Sequence, residues 1–336
     1  MMIKKRKNVL SAAAGLILCI SLIPAAFAHE LIVGGSAVGI QVSTRGVMVA
    51  GLTEVETGNG VRKPAEAAGI LPGDVIIKIN GQPVRKASQL IEIASSLNGR
   101  PAQLTIQRGG ATMLLHVQPM QSISGQWMMG MWLRDSISGV GTVTFCDPES
   151  GIYGALGHSI TDTESGAEIT VDSGNISGAE IVSVVKGAPG TPGELNGCAD
   201  MNNILGSIDS NTEHGIYGKA CAPLGEQTLE TGRITTGPAS ILCTVSGNEA
   251  KDYSVDINRI YKDAGGEHVM LTVTDSELLA STGGIVQGMS GSPIIQNGRL
   301  VGAVTHVFVN DPAKGYGVSI QDMLCSAGLD IEEQAA

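Results

Sequence analysis

The chain has 336 residues, room for about two domains, with a hydrophobic fraction of 43%, 46 glycines and only 3% aromatic residues. This composition favours short strands joined by glycine turns, and it excludes a helical bundle and a disordered chain. The net charge of −11, with no basic stripe after residue 8, excludes nucleic acid as a partner, because phosphate binding needs clustered Lys and Arg.

The N-terminus has the pattern of an export segment. Four consecutive basic residues, Lys4 to Lys7, precede an apolar run over residues 9–23, and an Ala-Phe-Ala sequence then gives a small-x-small cleavage site. The apolar run is shorter than the about 20 residues that span a membrane. Residues 1–28 are therefore predicted to be either a signal peptide or a membrane anchor, with membrane contact through this segment.

Cysteine spacing gives no sign of a metal site. Cys19 lies in the export segment, and the other five cysteines include no C-x-x-C pair. Mostly buried free thiols are expected, with one or two disulfide bridges as the alternative. Because no His-Glu-x-x-His motif and no nucleotide-type glycine loop occurs, neither a metal nor a cofactor is predicted.

Residues 32–120 are predicted to form the first folded domain. Two short strands over 38–42 and 46–49 precede the phrase PAEAAGILPGDVIIKINGQPV, in which an Asn-Gly pair marks a tight turn. Apolar residues at helical spacing predict a helix over 88–97, and a hairpin closes the unit.

This stretch resembles a PDZ domain of the bacterial protease type. The resemblance implies a groove between the 38–42 strand and the helix, where a peptide would add as an extra strand. The expected peptide-binding residues are Val38, Gly39, Ile40 and Leu90. The alternative is a small barrel that has no ligand.

Residues 121–138 are predicted to link two domains. They contain Trp127 and Trp132, which form either a hydrophobic clasp between the domains or part of an ordinary core strand. Residues 139–336 show many short strands with glycine turns, and only about residues 320–327 have a helical pattern. Such a pattern favours a β-barrel or a β-sandwich.

Two motifs in this second domain indicate chemistry. His158 ends the sequence Gly-Ala-Leu-Gly-His, and Ser290 lies in Gly-Met-Ser-Gly-Ser-Pro. A serine hydroxyl becomes a nucleophile when a histidine within hydrogen-bond reach removes its proton. The oxyanion that follows needs paired donors, and glycine permits the backbone angles that turn N–H groups inward. We therefore expect the N–H groups of Gly288 and Ser290 to form an oxyanion hole.

The serine motif resembles the G-D-S-G-G-P of trypsin-like peptidases, and the histidine precedes the serine as in trypsin. The phrases GALGHSITD and TGGIVQGMSGSPIIQNGRLVGAVTHVFVNDPAKGYGV, together with the PDZ-like stretch, are similar to the stage IV sporulation protein B serine peptidases of endospore formers. The resemblance implies a mainly β fold, in which a PDZ-like α+β domain precedes a trypsin-like double β-barrel. It also implies export from the forespore to the intermembrane space.

By the same resemblance, Ser290 is the nucleophile, His158 the general base and Asp275 the orienting acid. Asp275 lies only 15 residues before the serine, nearer than the acid of trypsin, and it ends a predicted strand. Asp162 and Asp172 are alternatives by their position after the histidine.

The function predicted from these features is that of a self-cleaving serine endopeptidase. Its implied partners are a peptide or protein substrate, itself included, and a membrane-bound regulator whose extracytoplasmic cleavage triggers sigma-K activation. Self-cleavage is expected near residues 29–36, a stretch between the export segment and the first domain that contains glycine and polar residues. His306 is either an alternative base or a structural or substrate-lining residue. The alternative function is a non-catalytic PDZ scaffold with an inactive protease-like barrel.

Overall fold

The computed structural model describes residues 29–161, 166 and 168–329. The predicted export segment and Asp162 lie outside these residues. Within them, no helix combines the length and the apolar character needed to cross a membrane. The helices of the described part are α1 (Pro64–Ala67), α2 (Ala87–Ser96), α3 (Ser276–Thr282) and α4 (Ile320–Ser326).

Strands make up most of the ordered structure, which confirms the predicted mainly β fold class. In chain order they are β1 (Glu30–Val33), β2 (Ala37–Leu52), β3 (Val55–Thr57), β4 (Gly60–Arg62), β5 (Val75–Ile79), β6 (Gln82–Pro83), β7 (Ala102–Arg108), β8 (Ala111–Val117), β9 (Met120–Gln121), β10 (Trp127–Met128), β11 (Met131–Cys146), β12 (Ile152–Ala155), β13 (Val171–Val185), β14 (Glu194–Ile208), β15 (Ser210–Thr212), β16 (Gly215–Lys219), β17 (Thr228–Glu230), β18 (Gly237–Cys243), β19 (Lys251–Asp263), β20 (Gly266–Val273), β21 (Pro293–Gln296), β22 (Arg299–Val307) and β23 (Lys314–Ser319).

One part of the structure, which we call the N-terminal lobe, is built around the long strands β2 and β11. The first half of β2 lies between two neighbours: Val38 is paired with Gly141 of β11 on one edge and with Gly178 of β13 on the other. Alternate side chains of β2, including Val38 and Ile40, enter the lobe's core beside Val143. Strands β12, β15 and β16 extend the sheet beyond β11.

This pairing shows that the predicted peptide groove is wrong. Val38, Gly39 and Ile40 have strand partners on both edges, so no peptide can add there as a further strand. The side chains of Val38 and Ile40 are also buried in the lobe rather than open to a ligand. Leu90, the fourth expected binding residue, lies in a different core and contributes to the lining of a separate groove beside its helix.

The PDZ-like unit is inserted between the two halves of the N-terminal lobe. The second half of β2 pairs with β5, and the sheet continues through β7 to β8. Helix α2, within one residue of its predicted span, buries Leu90 and Ala94 against this sheet. The predicted boundary at residue 32 is therefore wrong, because residues 37–44 belong to the lobe. The predicted linker 121–138 contains the end of β9, all of β10 and the start of β11, as the strand alternative for this stretch expects.

The C-terminal lobe is a closed six-stranded barrel with the strand order β18-β19-β20-β23-β22-β21. Its core is filled by alternate residues of β19 and β20, such as Val255, Ile257, Val269 and Leu271. Helix α4 begins at the N-cap Ser319, whose hydroxyl accepts from the Asp322 N–H at 3.1 Å.

The cysteines of the described residues are free thiols, and no disulfide joins any two of them. Cys146 and Cys243 are buried, whereas Cys198, Cys221 and Cys325 are exposed. The expectation of mostly buried thiols is therefore wrong for three of the five.

A buried ion pair anchors the PDZ-like unit. Asp74 has 0% of its surface exposed and accepts from Arg108 Nε at 2.6 Å and Nη2 at 2.7 Å. The Leu71 N–H donates to the same carboxylate at 2.9 Å. The guanidinium therefore compensates a charge that has no access to water.

We expect Arg108→Met to lower the free energy of unfolding by about 3–5 kcal/mol, because it leaves the Asp74 carboxylate buried and unpaired. Urea unfolding followed by circular dichroism measures the change. Arg45→Met is the matched control, since its 3.4 Å contact with Asp172 is solvent-exposed and contributes under about 1 kcal/mol. Equal losses in the two variants would contradict this assignment.

Candidate active site

A cleft of about 700 Å³ lies between the N-terminal lobe and the C-terminal barrel. Its lining includes His158 from the lobe and Gly288, Ser290 and His306 from the barrel. The structure therefore brings together two sequence motifs that are more than 130 residues apart in the chain.

The loop that presents Ser290 is held by strand β11. Thr142 donates its N–H to the Ser290 carbonyl at 2.9 Å and its hydroxyl to the Gly288 carbonyl at 2.9 Å. The hydroxyl of Thr144, two residues along the same face of β11, donates to the Gly291 carbonyl at 2.8 Å. Three hydrogen bonds from one strand therefore fix the backbone on both sides of the serine.

Glycine is required on the C-terminal side of the serine. Gly291 has φ +93° and approaches β11 and the His158 segment so closely that a Cβ atom there would overlap the Thr142 carbonyl and the Leu156 N–H. The Gly-Met-Ser-Gly motif thus encodes a close contact between the two lobes.

The predicted oxyanion hole has unoccupied donors. Within residues 29–161, 166 and 168–329, neither the Gly288 N–H nor the Ser290 N–H donates to a protein acceptor. Gly288 has φ +97°, a conformation that favours glycine. These two groups are free to bind a developing oxyanion, and their role stays a prediction.

The Ser290 hydroxyl donates to the Thr305 carbonyl at 2.6 Å. Thr305 belongs to β22, and the pairing of β22 with β23 is interrupted between Val304 and Val307. The hydroxyl is therefore held by a backbone carbonyl in this structure and makes no hydrogen bond to a histidine.

His158 follows β12 through two residues with positive φ, Leu156 at +70° and Gly157 at +69°. A positive φ at leucine is strained, and such strain concentrates at functional sites. The His158 Nδ1 lies 2.8 Å from the Ser159 carbonyl, so Nδ1–H donates and Nε2 retains its lone pair. Burial lowers the pKa of His158, and the Ser159 hydrogen bond opposes that shift.

Asn211 fixes the segment that follows the histidine. Its Oδ1 accepts from the Ile160 N–H at 2.8 Å, and its Nδ2 donates to the carbonyls of Ile160 and Ile169, both at 2.9 Å. All three bonds are to backbone atoms, so the amide acts as a clamp on the chain beside His158.

His306 lies directly against His158. The two ring centroids are 4.3 Å apart and the ring planes are inclined by 32°. The surrounding protein and, second, the His158 ring lower the pKa of His306. His306 also lines the cleft, beside Thr305.

The structure does not bring Asp275 to His158. The Asp275 carboxylate caps helix α3, accepting from the N–H groups of Glu277 at 2.9 Å and Leu278 at 3.0 Å. These backbone hydrogen bonds lower the pKa of Asp275. Because its oxygens are engaged at an exposed helix end, the predicted orienting role is not seen here. Asp172, an alternative acid, forms a surface ion pair with Arg45.

Sequence reasoning missed Thr142, Asn211 and Thr305. One signal for Thr142 was present: Thr142 and Thr144 lie two residues apart in the stretch 140–146, whose other residues are glycine or apolar, so they share a strand face and need hydrogen-bond partners beyond the strand. Asn211 and Thr305 had no local signal, since each acts through a backbone contact made by the tertiary fold.

A second groove, of about 580 Å³, lies in the PDZ-like unit between helix α2 and the start of β11. Its apolar lining includes Ile91 and Trp132, which are 55% and 65% exposed. Gly130, with φ +75°, precedes the strand. At residues 131–134, β11 pairs with β2 on one edge only, and no other described strand covers the edge that faces α2. This edge, unlike residues 38–42, can accept an added strand.

Comparison with known proteins gives two family matches. A model described as SpoIVB peptidase S55 matches residues 125–324, and a PDZ domain model matches residues 60–108. A curated relative, the magnetosome formation protease MamE of Magnetospirillum gryphiswaldense, is 37% identical over 67 residues, which are 20% of this chain and 8% of that protein.

Two solved structures show weaker likeness. The PDZ domain of an SdrC-like protein from Listeria monocytogenes is 20% identical with a TM-score of 0.23, over 28% of this chain and 93% of that one. The Rv3671c protease from M. tuberculosis, in its active form, is 14% identical with a TM-score of 0.32, over 58% of this chain and 76% of that one. TM-scores this low carry no argument about the site.

The SpoIVB peptidase S55 model covers more than half of the chain, and it includes the His158 and Ser290 motifs. The chain is a serine peptidase that contains a PDZ domain, and it belongs to the SpoIVB peptidase S55 family.

Proposed function

We propose that this peptidase hydrolyses proteins with Ser290 as nucleophile, His158 as general base and the N–H groups of Gly288 and Ser290 as oxyanion hole. One observation supports this assignment most strongly: His158 and Ser290 line one cleft, and threonines of β11 fix the backbone around the serine. Preorganised donors beside a nucleophile are what acyl transfer requires.

The first step is a rotation of the Ser290 hydroxyl. It leaves the Thr305 carbonyl and donates to Nε2 of His158, which accepts the proton as the oxygen attacks the substrate carbonyl. The carbonyl of Thr305 is then free to accept an N–H of the bound peptide. The collapse of the tetrahedral intermediate returns the proton from His158 to the leaving amine.

The Ser159 carbonyl takes the position beside Nδ1 that a carboxylate takes in a Ser-His-Asp triad. A carbonyl selects the same tautomer, but it stabilises the imidazolium less than a full negative charge does. Asn211 supports this arrangement because it fixes the chain two residues after His158.

The PDZ groove beside α2 is proposed to recruit the protein substrate. An extended peptide would add to the open edge of β11 at residues 131–134, with its apolar side chains against Ile91 and Trp132. The family resemblance supports a substrate in the extracytoplasmic segment of a membrane-bound regulator, whose cleavage triggers sigma-K activation. It also supports export from the forespore to the intermembrane space.

Labelling with a fluorophosphonate tests the catalytic assignment. We expect wild-type protein to label at Ser290, Ser290→Ala to lose the label, and His158→Ala to label at least about 100-fold more slowly. Asp275→Asn should label at the wild-type rate, because asparagine caps a helix about as well as aspartate does. Mass spectrometry of the labelled peptide gives site and rate.

The result that contradicts this assignment is folded wild-type protein that does not label, which would favour the scaffold function. If Asp275→Asn labels much more slowly than wild type while its stability is unchanged, Asp275 is the orienting acid.

The pH dependence tests which histidine is the base. Because burial lowers the pKa of His158, kcat/KM should fall on acidification only below about pH 6.5, the ordinary histidine value. The His306→Gln variant still buries His158. The kcat/KM of this variant should therefore also fall on acidification only below that pH. Loss of the acid limb in His306→Gln would identify His306 as the base.

Self-processing tests the groove. The predicted cleavage region 29–36 is not a flexible link, because β1 pairs with β11 and β17 and buries Leu31 and Val33. We expect wild-type full-length chain to cut at the N-terminal end of this region, before β1, because a protease needs an extended and accessible segment. Ser290→Ala should stay uncut, and added active enzyme should cut the Ser290→Ala chain in trans. Ile91→Asp enzyme should perform this trans cleavage about 10-fold or more slowly, because it places a charge in an apolar groove. Ile123→Asp is the control: Ile123 is 71% exposed and lies outside the groove.

Identical N-termini from wild type and Ser290→Ala would show that self-processing is wrong. Equal rates for Ile91→Asp and Ile123→Asp would show that the groove does not recruit this substrate.

A further inference from the structure

The barrel side of the catalytic cleft forms an apolar recess beside Ser290. The cleft lining on this side includes Val286, Thr305, Val307, Val309 and Pro192, and we call this part of the lining the recess. None of these residues bears a formal charge. The loop over residues 186–193 closes the outer side, where the Gly190 N–H donates to the Val309 carbonyl at 2.9 Å.

Ile285 forms the floor of this recess. A Cβ atom at Gly315 of β23 would overlap Ile285 Cδ1, so the isoleucine already occupies the space above that glycine. Ile285 is 2% exposed, and its N–H donates to the Pro312 carbonyl at 2.8 Å. With its backbone fixed in this way, the side chain cannot withdraw without breaking core packing.

The charged or ionisable lining of the cleft lies elsewhere. His158 and Glu213 belong to the N-terminal lobe, and the Glu213 carboxylate is directed to Gly265. His306 packs against His158, with its ring tilted by 32°. Among the described residues, no carboxylate or cation therefore faces the recess to neutralise a charged substrate side chain.

The position of the oxyanion hole decides which substrate residue enters the recess. A carbonyl oxygen bound by Gly288 and Ser290 holds the residue on the acyl side of the scissile bond against the loop that starts at Ile285. The N–H of that residue can replace the Ser290 hydroxyl at the Thr305 carbonyl. Its side chain then lies between this loop and β22, over Ile285.

We propose that Ile285 determines specificity and restricts the residue before the scissile bond to a small aliphatic one, such as alanine or valine. This inference rests on the proposed function. A charged side chain would lose its hydration without gaining a partner, and an aromatic side chain would need the volume that Ile285 fills.

Peptides that differ only at the residue before the scissile bond (Ala, Val, Leu, Phe, Lys or Asp) test the proposal with the full-length protein. The wild type should cleave the Ala and Val peptides best. The ratio of kcat/KM for Leu over Ala should rise in the order wild type, Ile285→Val, Ile285→Ala, reaching a change of about 10–200-fold, the range for one or a few methylenes. Ile137→Ala, on the opposite wall, should leave the ratio unchanged.

Fluorophosphonate labelling of Ser290 in each variant separates failure of the two claims. Absence of labelling in folded wild type overturns the proposed function and, with it, this inference. If Ser290 is labelled but the enzyme cleaves best after Lys, Asp or Phe, the inference about Ile285 is wrong and the proposed function stands. An unchanged ratio in both Ile285 variants, or an equal change in Ile137→Ala, also overturns it. If Ile285→Ala does not fold, Ile285→Val alone tests the proposal, through a smaller rise in the ratio of kcat/KM for the Leu peptide over the Ala peptide.

Discussion

The active site depends on the close approach of the nucleophile loop to strand β11. Gly291 lies so near the Thr142 carbonyl and the Leu156 N–H that only a residue without a side chain fits. The same contact lets the hydroxyls of Thr142 and Thr144 reach the Gly288 and Gly291 carbonyls. Since Leu156 lies two residues before His158, one contact sets the positions of both His158 and Ser290, the proposed base and nucleophile.

Strand β11 also runs from the groove beside α2 to the cleft that contains Ser290. It begins at the edge of the PDZ groove and ends among the residues that hold the serine loop. A sheet that is continuous from β8 to β15 contains this strand near its centre. A buried hydroxyl that loses its partner costs about 1–3 kcal/mol, so displacement of β11 would be opposed at Thr142 and Thr144. The groove and the cleft are thus connected through backbone rather than through a flexible linker.

The sequence was sufficient where chemistry is local. The Gly-Met-Ser-Gly and Gly-Ala-Leu-Gly-His motifs predicted that Ser290 and His158 share one site, and both side chains line the same cleft. Positive-φ glycines lie within a few residues of each of them. Their catalytic roles stay predictions. Helix α2 followed from its apolar spacing. The mainly β class followed from short strands and glycine turns.

Sequence reasoning failed where long-range pairing decides. Residues 38–42 have a strand pattern, but only the register with β11 and β13 shows that both edges are occupied. The groove wall at Trp132 lies in a stretch that was interpreted as a linker, since its partner strand β2 is about 80 residues away. Asp275 has two competing interpretations. An aspartate before a helix with Glu277 in its first turn is a helix-capping pattern, and the structure shows that cap. The orienting role implied by the resemblance stays a prediction.

The central claim, covalent catalysis by Ser290, is tested most directly by trapping the acyl-enzyme. A peptide ester with alanine before the scissile bond is mixed with the enzyme, quenched in acid within the first turnover and digested for mass spectrometry. The account predicts one acyl group per active enzyme on the peptide that contains Ser290. Continued peptide cleavage by Ser290→Ala, or an adduct on another residue of folded enzyme, would contradict it.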